Sequence, residues 1–222
     1  MYTQHFHSSR GCLSYITYDP TSKLAALIDP STEIATAVYL DFLSMHDLKL
    51  KYIFETHTHA DHVSSARKLK EATGAQVVRH KRAPSSLRDI AVEGGEEFAV
   101  GDGVLRVLST PGHTNESISL YNGSDVFTGD ALLIGGTGRT DFQVGDSASL
   151  YQSLHFTLEN LPPETFVRPA HDYKGRNKAL LGDEIRTNPR MAMCESEFIH
   201  TLEDYHPPAP ELFAEAIHEN SQ

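Results

Sequence analysis

Between Thr56 and His62 the chain reads Thr-His-Thr-His-Ala-Asp-His, so three histidines and one aspartate fall within six residues. No other feature constrains the fold as tightly. The run directly follows a short apolar stretch, Lys51 to Glu55, with the look of a buried strand. It directly precedes a stretch from about Ser64 to Ala72 with helical periodicity, which Gly74 ends. A strand tip is a rigid platform open to a cleft. In extended chain His57 and His59 point to one side, because successive side chains alternate. Where the chain turns into the helix, Asp61 and His62 can point back toward them. Imidazole and carboxylate ligate zinc, iron or manganese. The chain is therefore expected to be an α/β protein that builds a metal site on a strand end.

Three more segments carry separated ligand types, each just after a short apolar run: Thr110-Pro111-Gly112-His113-Thr114, Phe127-Thr128-Gly129-Asp130, and Arg168-Pro169-Ala170-His171-Asp172-Tyr173. Taken alone, His113 reads equally as a hydrogen-bonded loop histidine, and Asp130 as a turn residue or helix cap. Beside the 57–62 cluster, they read as ligands brought together from several strand ends.

The rest of the chain supports two mixed halves. Residues 12–30 read as two strands around the turn Asp19-Pro20-Thr21-Ser22. A helix is expected next, capped by Ser31 or Thr32, with Ile34, Val38, Phe42 and Met45 on its apolar face. Gln76 to Arg79 reads as a strand, and Glu96 to Ser119 as consecutive antiparallel strands, with a hairpin signal at Asn122-Gly123. Residues 135–147 form a Gly-rich loop, and Ser149 to Leu161 a helix with Leu150, Leu154 and Leu158 on one face. Thr165 to Val167 is a strand. The remainder is helical and loopy, broken at Pro207, Pro208 and Pro210. This order predicts two sheets packed face to face with helices outside.

Nineteen Lys and Arg against thirty Asp and Glu give a net charge of −11, which argues against a nucleic-acid partner. No apolar run approaches the ~20 residues that span a bilayer, and no signal or transit segment is visible. A cytoplasmic protein, bacterial on the simplest reading, is expected. The two cysteines, Cys12 and Cys194, are too far apart in sequence to suggest a CxxC zinc site or a disulfide scaffold. Neither is expected to carry chemistry, and Cys12 is expected to pack in a strand.

Together, HxHxDH at 57–62, PGHT at 111–114, GD at 129–130 and AHD at 170–172 resemble the metallo-β-lactamase superfamily, over about residues 11–175. That resemblance implies an αββα sandwich with the metal site at one edge between the sheets. In two-metal members, His57, His59 and His113 would hold one ion and Asp61, His62 and His171 the other, with Asp130 bridging.

Local features resemble the persulfide dioxygenases within it. They are Gly138-Arg139-Thr140-Asp141-Phe142-Gln143, His171-Asp172-Tyr173-Lys174-Gly175 and Asn188-Pro189-Arg190, which extend the resemblance to about residue 193. The Phe-Phe pair of glyoxalase II loops is absent, and too few residues follow His171 for that enzyme's second domain or for a fused rhodanese. The resemblance implies one domain over 1–222, with a helical extension from about 178 to 222. It implies one iron(II) per chain, held by His57, His113 and Asp130. His59, Asp61, His62 and His171 would then stand behind the ligands and fix their tautomers and orientation. Substrates would be glutathione persulfide and dioxygen, with water, and products sulfite and glutathione. Tyr173 and Arg190 match positions used for glutathione. Arg139 and Asp141 are expected to pair and brace their loop, and Arg168 to form an ion pair beneath His171. The alternative is a dinuclear hydrolase of glutathione thioesters, because every ligand of a two-metal site is also present. Pairing into a homodimer stays open.

Overall fold

The computed structural model describes residues 1–222. Its first half forms β1 (Tyr2–His7), β2 (Leu13–Tyr18), β3 (Leu24–Ile28), α1 (Thr36–Met45), β4 (Lys49–Phe54), α2 (Ala66–Thr73), β5 (Gln76–His80) and β6 (Ile90–Val92). These six strands make one sheet in sequence order, antiparallel from β1 to β3 and parallel from β3 to β6. The second half forms β7 (Glu97–Val100), β8 (Gly103–Ser109), β9 (Ile118–Tyr121), β10 (Asp125–Gly129), α3 (Ser147–Gln152), β11 (Phe166–Pro169), β12 (Ala179–Leu180), α4 (Leu181–Thr187), α5 (Glu195–Glu203) and α6 (Phe213–Asn220). Its sheet runs β12-β11-β10-β9-β8-β7, with only the β10–β11 pair parallel.

Strands covered on both faces must be apolar in both parities, and these are. Leu13 and Tyr15 of β2, Ala26 and Ile28 of β3 and Phe54 of β4 face Phe98, Leu105, Val107, Leu120 and Phe127 of the other sheet. The intervening residues Ile16, Ala25, Leu27, Ile53 and Val77 pack outward under α1 and α2. On the far side Val126 and Val167 pack under Leu150, Leu154, Leu158, Leu181, Phe198 and Leu202. The result is the expected αββα sandwich. Apolar burial at roughly 25 cal/mol per Å² is its main driving force.

Several local expectations need correction. In α1 the buried face is Tyr39 and Leu43, while Val38 and Met45 are exposed. Tyr39 turns inward because its hydroxyl has partners there, Ser14 Oγ at 2.9 Å and the Ser31 N–H at 3.2 Å. Ser31 and Thr32 do not cap the helix, which starts behind Ala35. They tie instead to the loop before α2, where Thr32 Oγ1 donates to Val63 O at 2.9 Å. The helix at α3 widens into a π-helical segment, Ser153–Leu158, and stops ahead of Pro162-Pro163. Edge strands β1 and β6 were not anticipated. The C-terminal residues do more than extend the fold. Helices α4 and α5 cover the second sheet, and the chain then crosses the site edge so that α6 packs beside the first, with Arg79 Nη1 donating to Asn220 O at 2.9 Å.

Candidate metal centre

Four strand ends deliver the donors. The chain leaving β4 carries His57 to His62, that leaving β8 carries His113, β10 ends in Gly129 before Asp130, and β11 precedes His171. Gly129 has a φ of +54°, and a Cβ there would stand 2.5 Å from Thr56 Oγ1. Only glycine lets the tip of β10 close onto the tip of β4.

His57 Nε2 and His113 Nε2 converge on one atom, Asp130 Oδ2, at 3.9 and 3.7 Å. The opposite ring nitrogens fix their tautomers. His113 Nδ1 lies 2.7 Å from the Arg139 carbonyl and must donate to it. Thr56 Oγ1 donates to Asp29 Oδ2 at 2.8 Å, so it accepts from His57 Nδ1 at 3.0 Å. In its neutral form each ring therefore turns an Nε2 lone pair toward the carboxylate. Burial, and then His59 and His113 nearby, hold the His57 pKa well below the ordinary histidine value. Burial works to raise the Asp130 pKa, but His171 and the other imidazoles hold its carboxyl below the usual carboxylate range. Two neutral imidazoles and one carboxylate suit a divalent cation and leave coordination positions free.

His171 donates from Nδ1 to Asp130 Oδ1 at 2.7 Å, which leaves Oδ2 as the oxygen presented to the histidines. Its Nε2 stands 2.7 Å from Asp61 Oδ2 but off the line of a hydrogen bond. Against burial, Asp130 and Asp61 raise the His171 pKa well above the ordinary value. Its ring lies parallel to that of Tyr173, 6.2 Å away, and Tyr173 is exposed. Gly11 makes room for Tyr173, since a Cβ there would meet the ring at 2.7 Å. His59 lies with its ring 4.2 and 4.3 Å from those of His57 and His62, its Nε2 donating to buried Asp29 at 3.2 Å and its Nδ1 without a partner. Asp29 thus orients both His57, through Thr56, and His59.

Cys12 corrects the sequence reading. It lies just before β2, and its Sγ points into the site, 3.3 Å from Glu33 Oε2, 3.6 Å from His62 Nδ1 and 3.8 Å from Asp61 Oδ2. Cys12, Asp61, His62 and His171 form a second group of donors within 4.8 Å of one another, sharing no residue with His57, His113 and Asp130. Buried Asp29, Glu55 and His59 form a third group.

A cavity of about 410 Å³ opens over the donors. Arg139 and Asp141 pair in a two-pronged contact of 2.5 and 2.6 Å beside it. The same guanidinium donates to the carbonyls of Pro207 and Pro208, at 2.7 and 2.9 Å, pinning residues 205–211 as one cavity wall. Arg168 pairs with Asp125 at 2.6 Å beneath the His171 loop. Arg190 does not line the cavity. It stacks 5.6 Å over Tyr205, which does, and its buried Nη1 has no partner. Sequence reasoning missed Arg10, Glu33, Asp29 and Asn220. No local signal marks them, since each reaches the site from another part of the chain.

The model of the metallo-beta-lactamase superfamily matches residues 10–171. The human mitochondrial persulfide dioxygenase ETHE1 is 34% identical over 98% of this chain and 86% of its own length. The crystal structure of ETHE1 from Myxococcus xanthus superposes with a TM-score of 0.95 at 42% identity, covering 100% of this chain and 98% of that one. A hydroxyacylglutathione hydrolase from Methylococcus capsulatus is 37% identical, but over 73% of this chain and 63% of its own length.

Proposed function

The chain belongs to the metallo-beta-lactamase superfamily and, within it, to the persulfide dioxygenases, and from that premise we propose that it oxidises glutathione persulfide on one iron(II) held by His57, His113 and Asp130. Dioxygen and water are the co-substrates, and sulfite and glutathione the products. The observation that carries the proposal is the convergence of two imidazole lone pairs and one carboxylate oxygen at 3.7 to 3.9 Å, with every tautomer fixed from behind.

Iron(II) bound there supplies the redox chemistry that dioxygen needs to react with sulfur. The chain's own residues supply position and charge. His171 holds Asp130 so that one oxygen faces the metal site. Asp29, through Thr56, and the Arg139 carbonyl keep His57 and His113 in the ligand tautomer. Asp61 places its charge against the far side of His171, and His62 pairs with Asp61 at 3.3 Å. Tyr173, exposed beside His171, offers its hydroxyl to the substrate peptide. Arg190 stands outside the cavity lining, stacked on Tyr205, so it takes a substrate carboxylate only through a shift of Tyr205 that uncovers its unpaired Nη1. Arg139 and Asp141 brace the loop and do not enter the chemistry.

The test is oxygen uptake by anaerobically iron-loaded protein on adding glutathione persulfide, with sulfite assayed in the same vessel. Uptake matched by sulfite is expected. Iron-containing protein that consumes no oxygen overturns the reading. The thioester hydrolase alternative draws on the second donor group around Asp61, His62 and His171. It requires two metals per chain and turnover without oxygen.

A further inference from the structure

The chain carries a net charge of −11, and the cavity over the metal centre is itself lined by Glu33, Asp61, Asp130 and Glu211. An anionic substrate entering such a field needs a local cation. Two arginines line the cavity, Arg10 and Arg139. Arg139 is largely committed, because four of its five N–H donors are held by Asp141 and by two proline carbonyls. Arg10 is different. Its Nε lies 3.4 Å from Glu33 Oε1, and its Nη2 donates to Glu211 Oε2 at 3.0 Å.

The two partners are not equivalent. Glu33 is only 13% exposed, and its other oxygen is already engaged by Ser8 Oγ at 2.7 Å. Glu211 is 85% exposed. An ion pair so open to water contributes little stability, so a better-placed carboxylate can replace Glu211. A guanidinium offers two parallel N–H donors that match a carboxylate. Glu211 also belongs to the wall of residues 205–211, so the pair that would open lies at the cavity's rim.

We infer that Arg10 is a specificity-determining residue. It reads a carboxylate of the thiol that carries the persulfide sulfur, and Glu211 is the internal carboxylate that holds its place until substrate arrives. This rests on the proposed function, and Arg190 would serve the other carboxylate of a glutathione-type carrier.

The test compares glutathione persulfide with 2-hydroxyethyl persulfide, which has no carboxylate, using oxygen uptake by the iron-loaded full-length protein. Arg10→Ala is expected to lower the ratio of kcat/KM for the two substrates, glutathione persulfide over hydroxyethyl persulfide, about tenfold or more, the scale of one lost charged hydrogen bond. Glu211→Gln acts in the opposite sense, lowering KM for glutathione persulfide several-fold by removing the competitor. Calorimetric binding of glutathione itself, without turnover, should weaken in Arg10→Ala and tighten in Glu211→Gln. An unchanged ratio together with unchanged glutathione affinity in Arg10→Ala overturns the assignment, as does a Glu211→Gln protein that binds glutathione more weakly. Should wild-type protein consume no oxygen with either persulfide, the dioxygenase reading falls. Glutathione binding by the two variants then decides the Arg10 assignment alone.

Discussion

Two side chains separate metal binding from substrate binding. Asp130 supplies the charge that the two imidazoles share, and His171 holds its other oxygen. Asp130→Ala should lose bound iron and oxygen uptake together, read by metal analysis of purified protein. A variant with full iron content and activity would sink the ligand assignment. Arg190 presents a buried guanidinium nitrogen without a partner. Arg190→Ala should raise KM for glutathione persulfide about tenfold or more, as expected for a hydrogen bond to a charged group worth ~1.5–3 kcal/mol, with iron content unchanged. Unaltered KM would show that the guanidinium serves packing against Tyr205 rather than substrate.

At the scale of elements, loops rather than strands set the precision of the site. The Gly-rich segment 135–147 hands a carbonyl to His113 and a fork to Asp141 while passing close behind Asp130. Gly138 permits that passage. A Cβ there would stand 2.8 Å from His113 Nδ1 and press on the Asp130 carbonyl. Gly138→Ala should therefore weaken iron binding roughly 10- to 100-fold, the range for lost support behind a ligand, with far-UV circular dichroism unaltered. Wild-type iron affinity in that variant would show that the loop moves freely. The helices follow a different logic. Helix α2 ends where the sequence placed its stop, with Gly74 in the left-handed conformation. Helix α1 instead rotates to bury Tyr39, because a hydroxyl with partners inside outweighs a simple apolar stripe.

At the scale of the molecule, the last helix and the first ligand loop form one unit. Asn220 Nδ2 donates to the carbonyls of His59 and His62 at 2.8 and 2.9 Å, and Oδ1 accepts from Ser64 N at 2.8 Å. This buried amide is satisfied on both sides, and its loss leaves backbone groups unpaired at ~1–3 kcal/mol. Asn220→Ala should lower Tm by several degrees, at about 2–4 °C per kcal/mol for a domain of this size, and loosen iron binding. Unchanged Tm and iron content would show that α6 is dispensable to the site. The wall of residues 205–211 couples the same C-terminal segment to the cavity through Arg139 and Arg10.

The αββα architecture and the donors were legible in sequence because both are local patterns. The order of two mixed strand-and-helix halves announces two sheets covered by helices, and clustered donors at strand ends announce a metal site. The hairpin at Asn122-Gly123 and the stop at Gly74 are equally local, set by backbone conformations few residues adopt. What surrounds the metal was not legible. Cys12, Glu33, Asp29 and Asn220 reach the site from three separate segments, Asp29 and Glu33 sharing the β3–α1 connection, and their role depends on distances that no spacing encodes. The sequence by itself determined which residue types stand at the strand ends as candidate metal ligands. Only the tertiary structure decided which ring nitrogens are engaged from behind and which arginines line the cavity, because both depend on partners that the chain brings together only by folding.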